Sequence, residues 1–183
     1  MGRESANYFL RLATGTEERA VFLLDGAGAE RLGSSDETRI DFCLRDEYRY
    51  WIDLRIHREP ELCLEIRIAL TNDQWSIRAP LEPALIALGS CAAAPSLHDE
   101  DGNEIAAIDQ DGWSLALEQH YGELRDAFVA RVGDFTAPLP ADHVYMYIHQ
   151  TRWNRDNDDE LAWHREREIA KIEEMWEPGA DEP

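Results

Sequence analysis

Three runs of alternating apolar and polar residues between positions 38 and 70 limit this chain's fold more than any other feature. In the first, Ile40, Phe42 and Leu44 alternate with Arg39, Asp41, Cys43 and Arg45. In the second, Tyr50, Ile52, Leu54 and Ile56 alternate with Trp51, Asp53, Arg55 and His57. In the third, Leu62, Leu64, Ile66, Ile68 and Leu70 alternate with Glu61, Cys63, Glu65 and Arg67. Successive side chains of a strand point to opposite faces, so each run reads as a strand with one buried side. The links, around Asp46-Glu47 and Arg58-Glu59-Pro60, are short enough only for hairpins. The expected unit is a three-stranded antiparallel meander, apolar on one face.

Its register places Cys43 near Trp51 and Cys63 near Arg55. Those partners are four residues apart, roughly 13 Å at about 3.3 Å per residue. A disulfide needs Cα atoms within about 7 Å, so free thiols are expected. The polar face carries Trp51, and a tryptophan there implies a cover, for which a C-terminal helix is the expected element.

Around the meander the pattern is mixed. Tyr8–Ala13 and Arg19–Leu24 read as strands joined through Gly15, although Glu17–Asp25 also fits a short helix. Pro80–Leu88 reads as a short helix with proline near its start and Gly89 at its end. Cys91–Ser96 reads as a loop of small residues, and Glu104–Ile108 as a strand after the Asp101-Gly102 turn. Trp113, Leu117, His120/Tyr121, Leu124, Phe128 and Val132 recur at helical spacing, and Gly133 stops that helix. Val144, Met146 and Ile148 alternate with His143, Tyr145, Tyr147 and His149, which predicts a strand over 142–149. A polar loop, Thr151–Asp159, then leads to a second main helix, Asp159–Trp176. The class expected is α+β: an N-terminal antiparallel sheet with two main helices from the second half packed on it. At 183 residues the chain fits one domain, here 1–178, with 179–183 as a disordered tail.

Charge is the unusual part of the composition. Formal net charge is −20, from 38 acidic and 18 basic residues. Residues 71–150 hold 13 acids against only Arg78, Arg125 and Arg131. Such a field repels nucleic-acid backbones and anionic membranes and attracts basic partners. No apolar run is long enough to span a bilayer, and the polar N-terminus does not resemble a secretion signal. Three cysteines without CxxC spacing point to a reducing compartment. The cytoplasm is therefore the expected location.

The chemistry-bearing motifs are weak. Asp99-Glu100-Asp101-Gly102 and Asp109-Gln110-Asp111-Gly112 suggest calcium, which needs six or more oxygens. The sixth position from Asp99 is Glu104 rather than glycine, and the twelfth is Gln110, so a turn and a helix cap are the simpler reading. His143 and His149 on one strand would stand roughly 20 Å apart, too far to share zinc. His164 and Glu168 meet on a helix face but make only two ligands. Asp156, Asp158, Asp159 and Glu160 form an acidic cluster without a phosphate-binding loop, and fit a helix cap better than a magnesium site. No nucleophile motif is present, and nothing in the sequence lowers the pKa of Cys91. No catalytic residue, metal ligand or cofactor is therefore assigned.

What remains is an acidic bacterial binder without enzymatic signature. The expected function is neutralisation of a basic partner, as an immunity protein does to a toxin or a nucleic-acid mimic to a nuclease. Asp99, Glu100, Asp101, Glu104, Asp109 and Asp111 are the candidate contact residues, since turns place them at the surface. The alternative is a small enzyme or ligand-binding domain whose acidity reflects a salt-adapted or GC-rich host. The two differ in charge distribution: adaptation to salt spreads acids over the surface, whereas a binder concentrates them.

Overall fold

The computed structural model describes residues 4–33, 37–46, 48–108, 115–133 and 135–156. Contacts divide the chain into two units, Met1–Val144 and Tyr145–Pro183. The first unit is built on one antiparallel sheet. Its strands are β1 (Ser5–Leu12), β2 (Glu30–Arg31), β3 (Arg39–Asp46), β4 (Tyr50–His57), β5 (Cys63–Ala69), β6 (Ala92–His98) and β7 (Glu104–Ala107). They lie in the order β2-β3-β4-β5-β1-β6-β7. Helices α1 (Glu17–Gly26), α2 (Gln74–Gly89) and α3 (Leu115–Val132) belong to the same unit. Helix α4 (Val144–Asp156) lies almost wholly in the second. The class is α+β, and the meander is present as the contiguous trio β3-β4-β5.

The alternation does what its period requires. Phe42, Ile52, Leu54, Ile56, Leu64, Ile66 and Ile68 are fully buried on the inner face. Tyr8 and Leu10 of β1 continue that face across the sheet. Helix α2 covers it with Ile77, Leu81, Ala84, Leu85 and Leu88. Helix α1 adds Ala20 and Leu24, and α3 adds Leu117, Tyr121 and Phe128. The register differs from expectation by two residues: Cys43 stands opposite Asp53, and Cys63 opposite His57. For Cys43 the cause is the β3–β4 turn, where Asp46 pairs with Tyr50; for Cys63 it is the β4–β5 link, which leaves residues 58–62 outside the pairing. The Asp46 carboxylate accepts from the Tyr48 amide (3.1 Å) and its carbonyl from the Arg49 amide (3.2 Å), centring the turn on residue 48. The two thiols remain four positions apart, and all three cysteines are free.

Several expectations are resolved or corrected. Of the two readings offered for residues 19–24, the helix is the one present, as part of α1: Ala20 and Leu24 are buried, whereas Phe22 between them is 73% exposed. Burial at i and i+4 with exposure at i+2 is the helical period. The same signature overturns the strand over 142–149 and the loop that was to begin at Thr151. Residues Ala141–His143 form one turn of 3₁₀ helix and α4 follows through Asp156, with Val144 and Ile148 buried and Met146 62% exposed. Helix α2 begins six residues before Pro80, because the Asp73 side chain caps it by accepting from the Ser76 amide (3.2 Å). It carries Pro80 and Pro83 in its interior. Each interior proline costs about 3 kcal/mol in an isolated helix, and the buried stripe of five apolar residues offsets that. Finally, 92–98 is a strand and not a loop. Its Ala and Pro residues have little β propensity, but β1 and β7 pair with it from both sides. Pro95 lacks an N–H and sits where the β1–β6 register shifts between Leu10 and Leu12; its carbonyl accepts from the Ile108 amide (2.7 Å).

Asn72, wholly buried at the β5–α2 junction, joins four elements. Its side-chain oxygen accepts from the Trp51 amide (2.9 Å), and its amide nitrogen donates to the carbonyls of Trp51 (3.1 Å) and Ala69 (3.0 Å). Its own carbonyl accepts from the Tyr121 hydroxyl (3.2 Å) and from Arg125 Nε (3.1 Å) on α3. The helix expected over Asp159–Trp176 and the tail at 179–183 lie outside the described residues.

Candidate functional site

The outer face of the sheet divides into two halves with different chemistry. Over β3–β5 the alternation places Asp41, Asp53, Arg55, His57, Glu65 and Arg67 side by side. The turn Ala141–His143 lies on them, so this face is covered by a short turn among the described residues, and the helix expected over Asp159–Trp176 lies outside them. Asp142 accepts from Arg55 (2.8 Å) and from Arg67 (2.7 Å). Arg67 comes first in holding its carboxyl down at about 2, and Arg55 adds to the effect. Asp53 is buried; it accepts from the Trp51 indole N–H (2.7 Å) and from the Ala141 amide (2.9 Å). His57 and Glu65 meet at 2.8 Å. Trp51 is thus half-covered, and its indole N–H is tied to Asp53.

Over β5-β1-β6 the outer face is open. Phe9, Arg11, Cys63, Ala94 and His98 line a groove of about 460 Å³ bounded by Glu61 and by the β6–β7 turn. Arg11 pairs with Glu61 at 2.8 Å. Burial, followed by the nearby Glu65, pushes the Cys63 thiol up to about 11, so it is not a nucleophile at neutral pH.

The β6–β7 turn holds most of the acids singled out in the sequence that lie within the described residues. Asp99 closes it from within: Oδ1 accepts from the amides of Asp101 (2.9 Å) and Asn103 (2.8 Å), and Oδ2 from the Asn103 side chain (3.0 Å). The Asn103 side chain is the first cause of a lowered Asp99 pKa. Gly102 takes φ +81°, the left-handed region in which a side chain is strained. Glu100 accepts from the Asn7 side chain (3.1 Å). Asp101 and Glu104 face solvent, and their carboxylates have no ion pair among the described residues. Glu123 and Asp126 on α3 are likewise exposed. Asp109 and Asp111 lie outside the described residues.

The structure therefore brings Asp99, Glu100, Asp101 and Glu104 together on one hairpin, but gives Asp99 a different task from the others. With its acceptors engaged in the turn, Asp99 orders the loop that displays its neighbours. These bonds give Asp99 of the first Asp-x-Asp-Gly tetrapeptide the role of a turn cap, and the second tetrapeptide, Asp109–Gly112, lies outside the described residues. Among the described residues no group of three or more His, Cys, Asp or Glu converges as metal ligands would. No described helix is long and apolar enough to cross a membrane.

Two features escaped the sequence reading. One is the groove, whose floor comes from β1, β5 and β6; no local pattern joins residues 9, 63 and 98. The other is a pair of exposed aromatic side chains, Tyr48 (82%) and Trp75 (73%). Trp75 could have been found. It sits two residues after the cap Asp73 and off the Ile77–Leu81–Leu85–Leu88 stripe, so it has no place in the core. Neither a scan of protein-family models nor comparisons with curated proteins and with solved structures finds a match for this chain.

Proposed function

We propose that this protein binds and neutralises a positively charged protein, in the manner of an immunity protein or a nucleic-acid mimic, through the acidic β6–β7 hairpin. One observation carries the reading. Asp99 rigidifies the turn by three hydrogen bonds, and the turn and the strand after it present Asp101 and Glu104 to solvent without a compensating cation among the described residues. A rigid display of unpaired charge costs little to order on binding and accelerates encounter with a partner of opposite sign. The distribution of pairing favours a binder over a coat adapted to salt. Most carboxylates of the β3–β5 face are engaged by arginine, histidine, tryptophan or backbone, whereas the hairpin's outward acids are not.

The test is affinity capture of partners from the native host, followed by association kinetics against salt. Screening shortens from about 10 Å at 0.1 M to about 3 Å at 1 M salt, so the association rate falls steeply as salt is added. A partner that is not basic, or a rate unchanged by Asp101→Lys with Glu104→Lys, defeats the reading. Turnover of a small molecule by the isolated protein would instead support the alternative, an enzyme or ligand-binding domain using the groove over Phe9.

A further inference from the structure

We infer that Tyr48 and Trp75 are the anchoring side chains of the docking surface, which occupies the whole end of the sheet that the β6–β7 hairpin shares with them. The inference rests on the binder reading just given and adds where affinity resides. The strand pairings define that end. β3 leaves the sheet there at Asp46 and β4 re-enters at Tyr50. β5 leaves after Ala69, opposite Ser5 at the start of β1. β6 runs antiparallel to β1 and reaches the hairpin at His98, opposite Phe9. The β3–β4 turn, the β5–α2 junction and the β6–β7 hairpin are therefore on the same side. From the middle of β3–β4 to the middle of β6–β7 is four strand spacings, roughly 19 Å across the strands, and His98 stands opposite Phe9, four residues short of Ser5, which adds a stagger of roughly 13 Å along them. A protein partner of ordinary size buries about 800 Å² on each side, a patch roughly 30 Å across, so one partner can engage both regions.

Tyr48 and Trp75 are held at one corner of this end. The Ser76 hydroxyl donates to the Arg49 carbonyl (2.7 Å), tying the residue after Trp75 to the residue after Tyr48. Asp73 and Asn72 fix the α2 side of the corner, and Asp46 fixes the turn side. Both aromatic side chains are thus exposed on backbone that is already ordered. Tryptophan and tyrosine combine large contact area with few rotatable bonds, which is why they dominate binding hot spots. Their ring faces also attract cations, arginine above all. The occupant that fits is a basic protein surface, with arginine side chains on the rings and further cations toward Asp101 and Glu104. A second copy of this chain is disfavoured by the −20 net charge each copy carries.

A nona-arginine peptide serves as the probe, with the full chain, at 0.15 M salt. Three proteins are compared by titration calorimetry: the unaltered chain, Tyr48→Ala with Trp75→Ala, and Asp101→Lys with Glu104→Lys. Both altered side-chain pairs are exposed, and thermal unfolding checks that the fold is kept. The expected result is a loss of about tenfold in affinity for the aromatic variant, the size of one hot-spot residue, together with a loss for the charge-reversed variant. In the unaltered chain, the indole N–H resonance assigned to Trp75 should shift most among the six tryptophans. Undiminished affinity of the aromatic variant, with the charge-reversed variant weakened, overturns the anchor assignment and leaves the binder reading standing. Undiminished affinity of both variants overturns both.

Discussion

Carboxylates on the outer face over β3–β5 and those on the β6–β7 hairpin belong to one acidic chain but have opposite fates. On the face, Asp53, Glu65 and Asp142 are matched to Trp51, His57, Arg55, Arg67 or a backbone amide. On the hairpin, only Asp99 and Glu100 have such partners among the described residues, and Asp101 and Glu104 are exposed. The difference teaches that formal charge and available charge are separate quantities. A carboxylate beside a guanidinium contributes little to the field a partner meets at a distance, and an unpaired one contributes fully. Two of the three bases among residues 71–150 are engaged in the same way. Arg78 is held by Glu82 (3.3 Å), and Arg125 donates to the Asn72 carbonyl.

The strongest way to break the comparison is at Asp53. Asp53→Ala leaves the Ala141 amide and the Trp51 indole without their acceptor beneath a covered face, and should cost about 3 kcal/mol of stability in urea unfolding. A loss below about 1 kcal/mol would mean that the face is no better ordered than the hairpin.

Next in size is the response to acid. The Asp142 carboxyl is held at about 2 in the folded protein against about 3.9 unfolded, so its contribution is full above about pH 5. It is lost as pH falls through about 2 and is gone near about pH 1. Because this side chain is 58% exposed, solvent screening reduces the effect to about 1 kcal/mol. Asp142→Asn should remove that part of the acid sensitivity, so that the two pH–stability curves separate above about pH 4 and converge as pH falls below about 2.

A smaller, local effect is expected at Asp99. Asp99→Ala should speed hydrogen exchange at the Asp101 and Asn103 amides and leave amides of β4 as they were. Smallest of all is the outward pair. Asp101→Lys with Glu104→Lys should move stability by no more than about 0.5 kcal/mol in urea, while altering binding to basic probes.

These contrasts also explain what was legible in the sequence. The meander's strands could be read because their apolar side chains face one side only, although Cys43 and Asp53 are buried on the other, and a one-sided apolar face leaves a period of two. Helix α4 was misread, and α1 was ambiguous between strand and helix, because Leu24 and Ile148 each follow an apolar residue by two positions as well as by four. Phe22 and Met146 filled the alternating pattern although neither is buried. Strand β6 was hidden by its composition, since partners on both sides and not side-chain preference hold it in the sheet. The hairpin acids were legible as surface turn residues. Their division into one structural and several outward carboxylates was not, because it depends on which amides the turn aims at Asp99. Trp75 and Tyr48 come together only through a hydrogen bond between residues 27 apart, a separation at which local pattern carries no information.

Asn72 has a consequence for the lifetime of the folded state. Its bonds to Trp51, Tyr121 and Arg125 close loops of 21, 49 and 53 residues. Contacts of such separation come with the loop-closure entropy of assembling β4, β5, α2 and α3, so they belong late in folding. An interaction made after the rate-limiting barrier leaves the folding rate alone and acts as a brake on the reverse reaction. The buried amide at the head of α2 thus bears on how long this end of the sheet stays assembled, and not on how fast it forms.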